Sequence, residues 1–199
     1  MNQELMLKAI TFAVDKHNNS KDPYRKGTKI LYVVHPIGVM NLLLKEQFEN
    51  PSITEEVIVA GILHDTVEDT DATLDEIEHN FGSRVRDLVF QESELEELKN
   101  DPDKKKTWRP RKEHTIDHLK VADKGAKLAT CADKLDNLRC MVEDYMFIGE
   151  DLWKKFNAPK LDIEWYYRSV LKSLSEGESI EDSKLYRLFE KEVKEFFGN

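Results

Sequence analysis

With 199 residues, 39 Asp and Glu against 30 Lys and Arg, and a formal net charge of −9, the chain is long enough for one domain with a core of its own. It is too acidic for a sequence-independent nucleic-acid binder, whose affinity comes from phosphates neutralised by Lys and Arg. An apolar fraction of 40% with only 8 Gly and 6 Pro favours helices over an all-β sandwich.

The elements follow in chain order. Leu5, Leu7, Ile10, Ala13 and Val14 approximate helical spacing and predict a first helix over about residues 3–18. This amphipathic start, MNQELMLKAITFAVDKH, lacks a signal-peptide core, and no run in the chain approaches the roughly 20 apolar residues of a membrane span. NNSKDPYRKGTKILY, rich in turn formers and basic residues, predicts a loop. Pro36 suits the first turn of the next helix, where its missing N–H is not needed, and puts His35 at that helix's entrance. SITEE predicts a capping box, with Ser52 as N-cap and Glu55 three residues on, opening a helix that runs to about Asp69. Residues 73–82 predict another helix closed by glycine, and 83–89 a short successor. Residues 90–112 are charged, interrupted by Pro102 and Pro110, and predict a surface loop with helical pieces at most.

Periodicity returns at about Glu113. KGAKLATCADKLDNLRCMVEDY predicts a strong helix with Leu128, Cys131, Leu135, Leu138 and Val142 along one face, and helices over 159–175 and 180–197 follow. Cys131 and Cys140, the only cysteines, lie too far apart along that helix for an easy disulfide, so a reducing, cytoplasmic setting is the simple expectation. With no repeat and no convincing strand, the expected class is all-α: one compact helical bundle over residues 1–199.

The third helix raises a chemical question. Val57, Ile58, Val59, Ile62 and Leu63 surround it with apolar side chains and mark it as central, yet it runs into His64, Asp65, Glu68 and Asp69. On a continuous helix His64 and Glu68 share a face, as do Asp65 and Asp69. Acids at a helix C-terminus oppose its dipole by roughly 0.3–1 kcal/mol each, and carboxylates at a cleft floor need partners. Spacing alone leaves two readings open: a metal or catalytic site, or a helix end turning into water. A transition metal wants imidazole nitrogen and carboxylate oxygen. Beyond His64 and Asp65, His35 is the best remote imidazole, and Asp133, inside the largely apolar AKLATCADKLDNL helix, the best remote carboxylate.

HDTVEDT, with YVVHP upstream and ADKLDNLR downstream, resembles the HD superfamily of metal-dependent phosphohydrolases, and within it the hydrolase domain of the RelA/SpoT family. The likeness covers about residues 5–175, so the chain is similar to the stand-alone small alarmone hydrolases, including the metazoan SpoT homologue type. The resemblance implies an HD-type helical bundle in which His35, His64, Asp65 and Asp133 bind one divalent ion, Mn²⁺ being usual. It implies Glu68 as the chief base that orients or deprotonates water, with Asp69 as its partner. Asn137 resembles a substrate-contacting asparagine near the ribose, and Arg25, Lys26 and Tyr32 fall where the family contacts substrate base and phosphates. The implied reaction is removal of the 3′-diphosphate from guanosine 3′,5′-bis(diphosphate). The partner would be a small guanosine polyphosphate, with neither a nucleic-acid polymer nor a membrane; the oligomeric state is not fixed by the sequence.

Lys104 to Lys106, Arg109, Arg111 and Lys112 form a second basic run, either a solvated loop or a cover for the 5′-phosphates. The chain also departs from the family pattern at Leu31, Ser93, Asp136 and Cys140, which bears on substrate identity. The alternatives are a phosphohydrolase for another nucleotide, for example one removing the 2′-phosphate of NADPH, and a non-catalytic alarmone-binding module.

Overall fold

Asn2 opens the first helix by accepting the amides of Glu4 and Leu5 on its side-chain oxygen, satisfying donors that no intrahelical carbonyl reaches. The computed structural model describes residues 2–92 and 101–198, and its elements are α1 (Gln3–Asn18), α2 (Val34–Gln47), α3 (Glu55–Leu63), α4 (Thr66–Asp69), α5 (Leu74–Phe81) and α6 (Ser83–Glu92), then α7 (Trp108–Val121), α8 (Lys124–Ile148), a 3₁₀ turn (Gly149–Lys155), α9 (Lys160–Leu174) and α10 (Lys184–Phe197). The fold is all-α, and among the described residues the only strand-like feature is an isolated bridge between Tyr24 and Leu31. None of the described helices is long and apolar enough to cross a membrane.

Two helices make the centre. Every residue of α3 from Val57 to Leu63 is buried, and α3 packs on α1, α2, α6 and α8. α8 is buried from Gly125 to Asp133 and packs on α2, α3, α6 and α10. Each large aliphatic side chain so enclosed contributes roughly 1.5–3 kcal/mol, so the two are anchored more firmly than the segments that decorate them. Gly61 sets the approach of α2 to α3: a Cβ there would lie 2.6 Å from Leu43 Cδ1. α7 instead packs on α9, which leaves an open cleft between α7 and α8.

Several predicted boundaries move, each for a local reason. Ser52 does not cap α3. Thr54 is its N-cap, without a side-chain capping bond, and Glu55 instead accepts the Asn2 amide at 2.5 Å. The helix predicted to run to Asp69 breaks at His64–Asp65, where side chains take its last carbonyls: His64 Nδ1 bonds Gly61 O at 2.9 Å and Thr66 Oγ1 bonds Leu63 O at 2.6 Å. The region expected to be a surface loop is helical to Glu92 and again from Trp108, because Trp108 is buried against Trp165 and Tyr166. Ser93 lies outside the described residues. α10 starts at Lys184 and not at 180, since Ser183 caps it and the buried Glu46 carboxylate of α2 accepts the amides of Lys184 and Leu185 at 3.1 and 3.0 Å.

Candidate active site

Three segments distant in sequence bring four side chains to one point. α2 carries His35 in its first turn, the break after α3 presents His64 and Asp65, and the middle of α8 supplies Asp133. His35 Nε2 lies 3.2 Å from His64 Nε2, 3.2 Å from Asp133 Oδ1 and 3.6 Å from Asp65 Oδ2. His64 Nε2 lies 3.0 Å from Asp65 Oδ2 and 3.6 Å from Asp133 Oδ1. The ligand atoms of His35, His64 and Asp65 all fall within 4.8 Å of one another.

The outer nitrogens of both imidazoles are committed. His64 Nδ1 meets the Gly61 carbonyl and His35 Nδ1 meets Asp136 Oδ2 at 2.7 Å, and both oxygens only accept. Each ring therefore keeps a proton on Nδ1 and turns Nε2 inward, toward two carboxylate oxygens, as a lone pair for a metal ion or, without one, as a second N–H. Four electron-rich atoms converging in a buried place require a shared cation, and imidazole with carboxylate is a donor set suited to a divalent metal. Electrostatics say the same. Burial opposes charge on His35, but hydrogen bonds to Asp133 and Asp136 outweigh it and hold the imidazole above its usual range. Burial likewise opposes charge on His64, and Asp65 and Asp133 raise it well above that range. Burial pushes the other way on Asp65 and Asp133, yet His64 beside the first and Lys134 beside the second keep both carboxyls below the carboxylate range.

Around this cluster lies a supporting layer. Tyr32 donates its hydroxyl to Asp65 Oδ2 at 2.5 Å, and burial followed by the Asp65 charge pushes that phenol well up, so it stays a donor. Asn137 donates to Asp133 Oδ1 at 2.5 Å and accepts from Arg25 Nη2 at 3.2 Å. Arg25 also points Nη1 at Cys140 Sγ, 2.9 Å away, while Lys134 bonds Asp133 from the adjacent position. Behind Tyr32, His17 stacks on the ring with centroids 4.6 Å apart. Burial pushes His17 down to about 4.

The cleft has two lobes. The polar lobe, about 460 Å³, is lined by His64, Asp65, Glu68, Asp69 and Asp133, with Lys104, Arg111 and Lys112 among its other residues. The more apolar lobe, about 520 Å³, takes Arg25, Lys26, Ile30, Cys140, Met141 and Tyr167 among its walls. Tyr32, Arg111, Lys112, Lys134 and Asn137 border both. His35, His64, Asp65 and Asp133 thus lie at the cluster, and Arg25, Lys26, Tyr32, Glu68, Asp69 and Asn137 line the cleft. Glu68 is half-buried and Asp69 exposed, on α4, which is a separate helix and not a continuation of α3. Part of the basic run does not reach the cleft: Arg109 stacks on Trp165 and pairs with Glu113 and Asp162.

Sequence reasoning did not single out Lys134, His114 or His118, and it named Asp136 only as a departure from the family pattern and not as the partner of His35. For Asp136 a signal was present, since it stands one turn after Asp133 on the same helix face. For the other three, nothing in the local pattern distinguished them from surface residues.

The chain matches the HD domain family over residues 9–163. Guanosine-3′,5′-bis(diphosphate) 3′-pyrophosphohydrolase MESH1 of Mus musculus is 42% identical over 135 residues, 67% of this chain and 68% of that one. The MESH1 protein of Danio rerio is 35% identical over 186 residues, 93% of this chain and 92% of its own. Among solved structures, lmo0812 from Listeria monocytogenes EGD-e superposes with a TM-score of 0.71 at 31% identity, covering 83% of this chain and 99% of that one. A family match across most of the sequence, joined to the buried histidine and aspartate cluster, places this chain in the HD domain family.

Proposed function

We infer that this chain is a guanosine-3′,5′-bis(diphosphate) 3′-pyrophosphohydrolase, releasing pyrophosphate and leaving GDP, or GTP when the substrate carries a 5′-triphosphate. The observation that carries the reading is the meeting of two inward imidazole Nε2 atoms with two carboxylates at the wall of a two-lobed cleft. The full-length likeness to proteins bearing that activity supports it.

His35, His64, Asp65 and Asp133 would hold one divalent ion, which we take to be Mn²⁺. When bound, such an ion lowers the pKa of water and neutralises charge on the attacked phosphoryl group. Every other part of the chemistry falls to the chain's own side chains. Glu68, half-buried on the polar lobe, orients the attacking water and takes its proton, and Asp69 beside it adds negative charge that favours the transfer. Tyr32 fixes the angle of Asp65, and Asn137 fixes Asp133 while linking it to Arg25. Arg25 and Lys26 line the apolar lobe, where a purine and ribose find both flat apolar walls and cations for the 5′-phosphates. Arg111 and Lys112, bordering both lobes, face the point where the 3′-phosphates leave the ribose.

Purified protein loaded with Mn²⁺ and incubated with ppGpp should yield GDP and pyrophosphate, followed by chromatography of the nucleotides. A panel containing NADPH, run alongside, should rank ppGpp first by kcat/KM. Metal-loaded protein that leaves ppGpp intact would overturn the reading, and a preference for NADPH would move the substrate assignment.

A further inference from the structure

The two walls of the cleft run in step. On α7, Trp108 lines the apolar lobe alone, Arg111 and Lys112 border both lobes, and His114, Thr115 and His118 line the polar lobe alone. On α8 the same succession is Cys140, then Asn137 and Lys134, then Asp133 and Thr130. A nucleotide with its base in the apolar lobe and the phosphoryl group on its 3′-oxygen at the metal cluster therefore points the distal 3′-phosphoryl group toward His114 and His118. His118 stands about 10 Å along the helix from Arg111, at a rise of about 1.5 Å per residue.

The two imidazoles are built as a pair. They lie four residues apart on α7, half-buried, with centroids 5.9 Å apart and planes within 8° of parallel. His118 Nδ1 lies 2.9 Å from the Gln91 carbonyl oxygen, which can only accept. That bond fixes the ring and leaves Nε2 for the cleft, where a proton on it makes a charge-assisted donor to an anion. A histidine pair at this spacing also suits a transition metal. Here, however, no third His, Cys, Asp or Glu ligand atom joins them among the described residues, and Lys104, Arg111 and Lys112 line the same lobe. Cationic neighbours disfavour a metal and favour a phosphate.

We propose that His114 and His118 bind the distal phosphoryl group of the 3′-diphosphate, the one beyond the phosphorus that water attacks, making this chain selective for 3′-diphosphate over 3′-monophosphate esters. The proposal rests on the reaction assigned above and deepens it. Glu68 and Asp69 on the same lobe are acidic and act on water, so the lobe divides into an acidic side for the nucleophile and a basic side, with Lys104, Arg111 and Lys112, for the phosphoryl group beyond the attacked one.

Calorimetric titration of the Mn²⁺-loaded protein with inorganic pyrophosphate and with orthophosphate needs no turnover and tests the seat directly. Wild-type protein should bind pyrophosphate at least about tenfold tighter than orthophosphate, the effect of one charge-assisted hydrogen bond. The double variant His114→Gln/His118→Gln should lose that preference, with orthophosphate affinity, bound metal per chain and Tm unchanged. Equal affinity for both anions in the wild type, or an unaltered preference in the double variant, overturns the proposal. Loss of a second equivalent of metal from the double variant overturns it in favour of a metal seat. Protein that keeps the pyrophosphate preference but does not hydrolyse ppGpp refutes the reaction assignment and upholds the diphosphate seat.

Discussion

Gly38 tests how tightly the cluster is held, because it is the residue that lets Asp136 reach His35. A Cβ at Gly38 would lie 2.1 Å from Asp136 Oδ1 and 2.8 Å from its Cγ. An ordinary carbon–oxygen contact needs about 3.3 Å, so Gly38→Ala overlaps by more than an ångström. The carboxylate cannot simply swing aside, for it is bonded to His35 Nδ1 at 2.7 Å and lies 3.6 Å from Arg25 Nη1. Alanine in mid-helix should stabilise α2 by roughly 1 kcal/mol, while a lost charge-assisted hydrogen bond costs about 1.5–3 kcal/mol. The second effect wins by a small margin, and Tm should fall by only a few degrees for a chain of this size. Metal affinity should respond far more, by about 10–100-fold, because His35 loses the partner that fixes its tautomer and ring angle. Calorimetric titration with Mn²⁺ measures this. On an Asp136→Ala background the clash has no object, so Gly38→Ala should there raise Tm slightly and leave metal affinity where Asp136→Ala had put it. Wild-type metal affinity in the single Gly38→Ala variant would refute the argument.

Other outcomes follow from the same geometry. Glu68→Gln should lower turnover of ppGpp by about 10²–10⁴-fold with metal affinity intact, and unchanged single-turnover rates would rule Glu68 out as the base. Tyr32→Phe should weaken Mn²⁺ binding by about tenfold through Asp65, whereas an unchanged titration would reduce Tyr32 to a packing aromatic. Stability of chelator-treated protein should peak near pH 6.5. The raised His35 and His64 contribute stability that is complete below the unfolded imidazole value of about 6.5 and lost as pH rises through their folded values. His17, pushed down to about 4, acts oppositely and loses stability as pH falls from about 6.5 to about 4. Metal replaces protons on the first pair, so it should lift the alkaline arm of a Tm–pH curve and leave the acid arm in place; a uniform shift would contradict this.

The helical class and the central position of α3 were legible because its apolar run from Val57 to Leu63 has no polar face to turn outward. The candidate ligands were weak signals singly, His35 as a histidine at a helix entrance and Asp133 as an acid in a largely apolar helix, and it was the family resemblance that joined them to His64 and Asp65. The break at His64–Asp65 was not legible, since it depends on side-chain bonds to Gly61 and Leu63 that helical periodicity does not register. Asp136 was readable as a helix-face neighbour of Asp133, but its partner His35 lies in a different helix, and only the gap left by Gly38 brings them together. Helix α7 escaped for the opposite reason. Its opening residues are charged and proline-containing, and what makes them helical is the burial of Trp108 against α9, a long-range contact with no local signature.

An acidic chain can still take a polyanion because the two signs of charge are separated in depth. At physiological salt the Debye length is about 8 Å, so exposed acids such as Asp71, 88% exposed at its side chain, are screened from a ligand inside the cleft. Arg111 and Lys112, half-buried at the junction of the lobes, act in a lower dielectric and over a shorter path. The acids that do reach the interior are spoken for: Asp65 by Tyr32 and His64, Asp133 by Asn137, Lys134 and the two imidazoles. Their charge is directed at a cation and away from the phosphates. The overall charge of −9 therefore slows long-range encounter with a polyanion without weakening its grip once bound, and added salt should raise the association rate while lowering affinity only modestly.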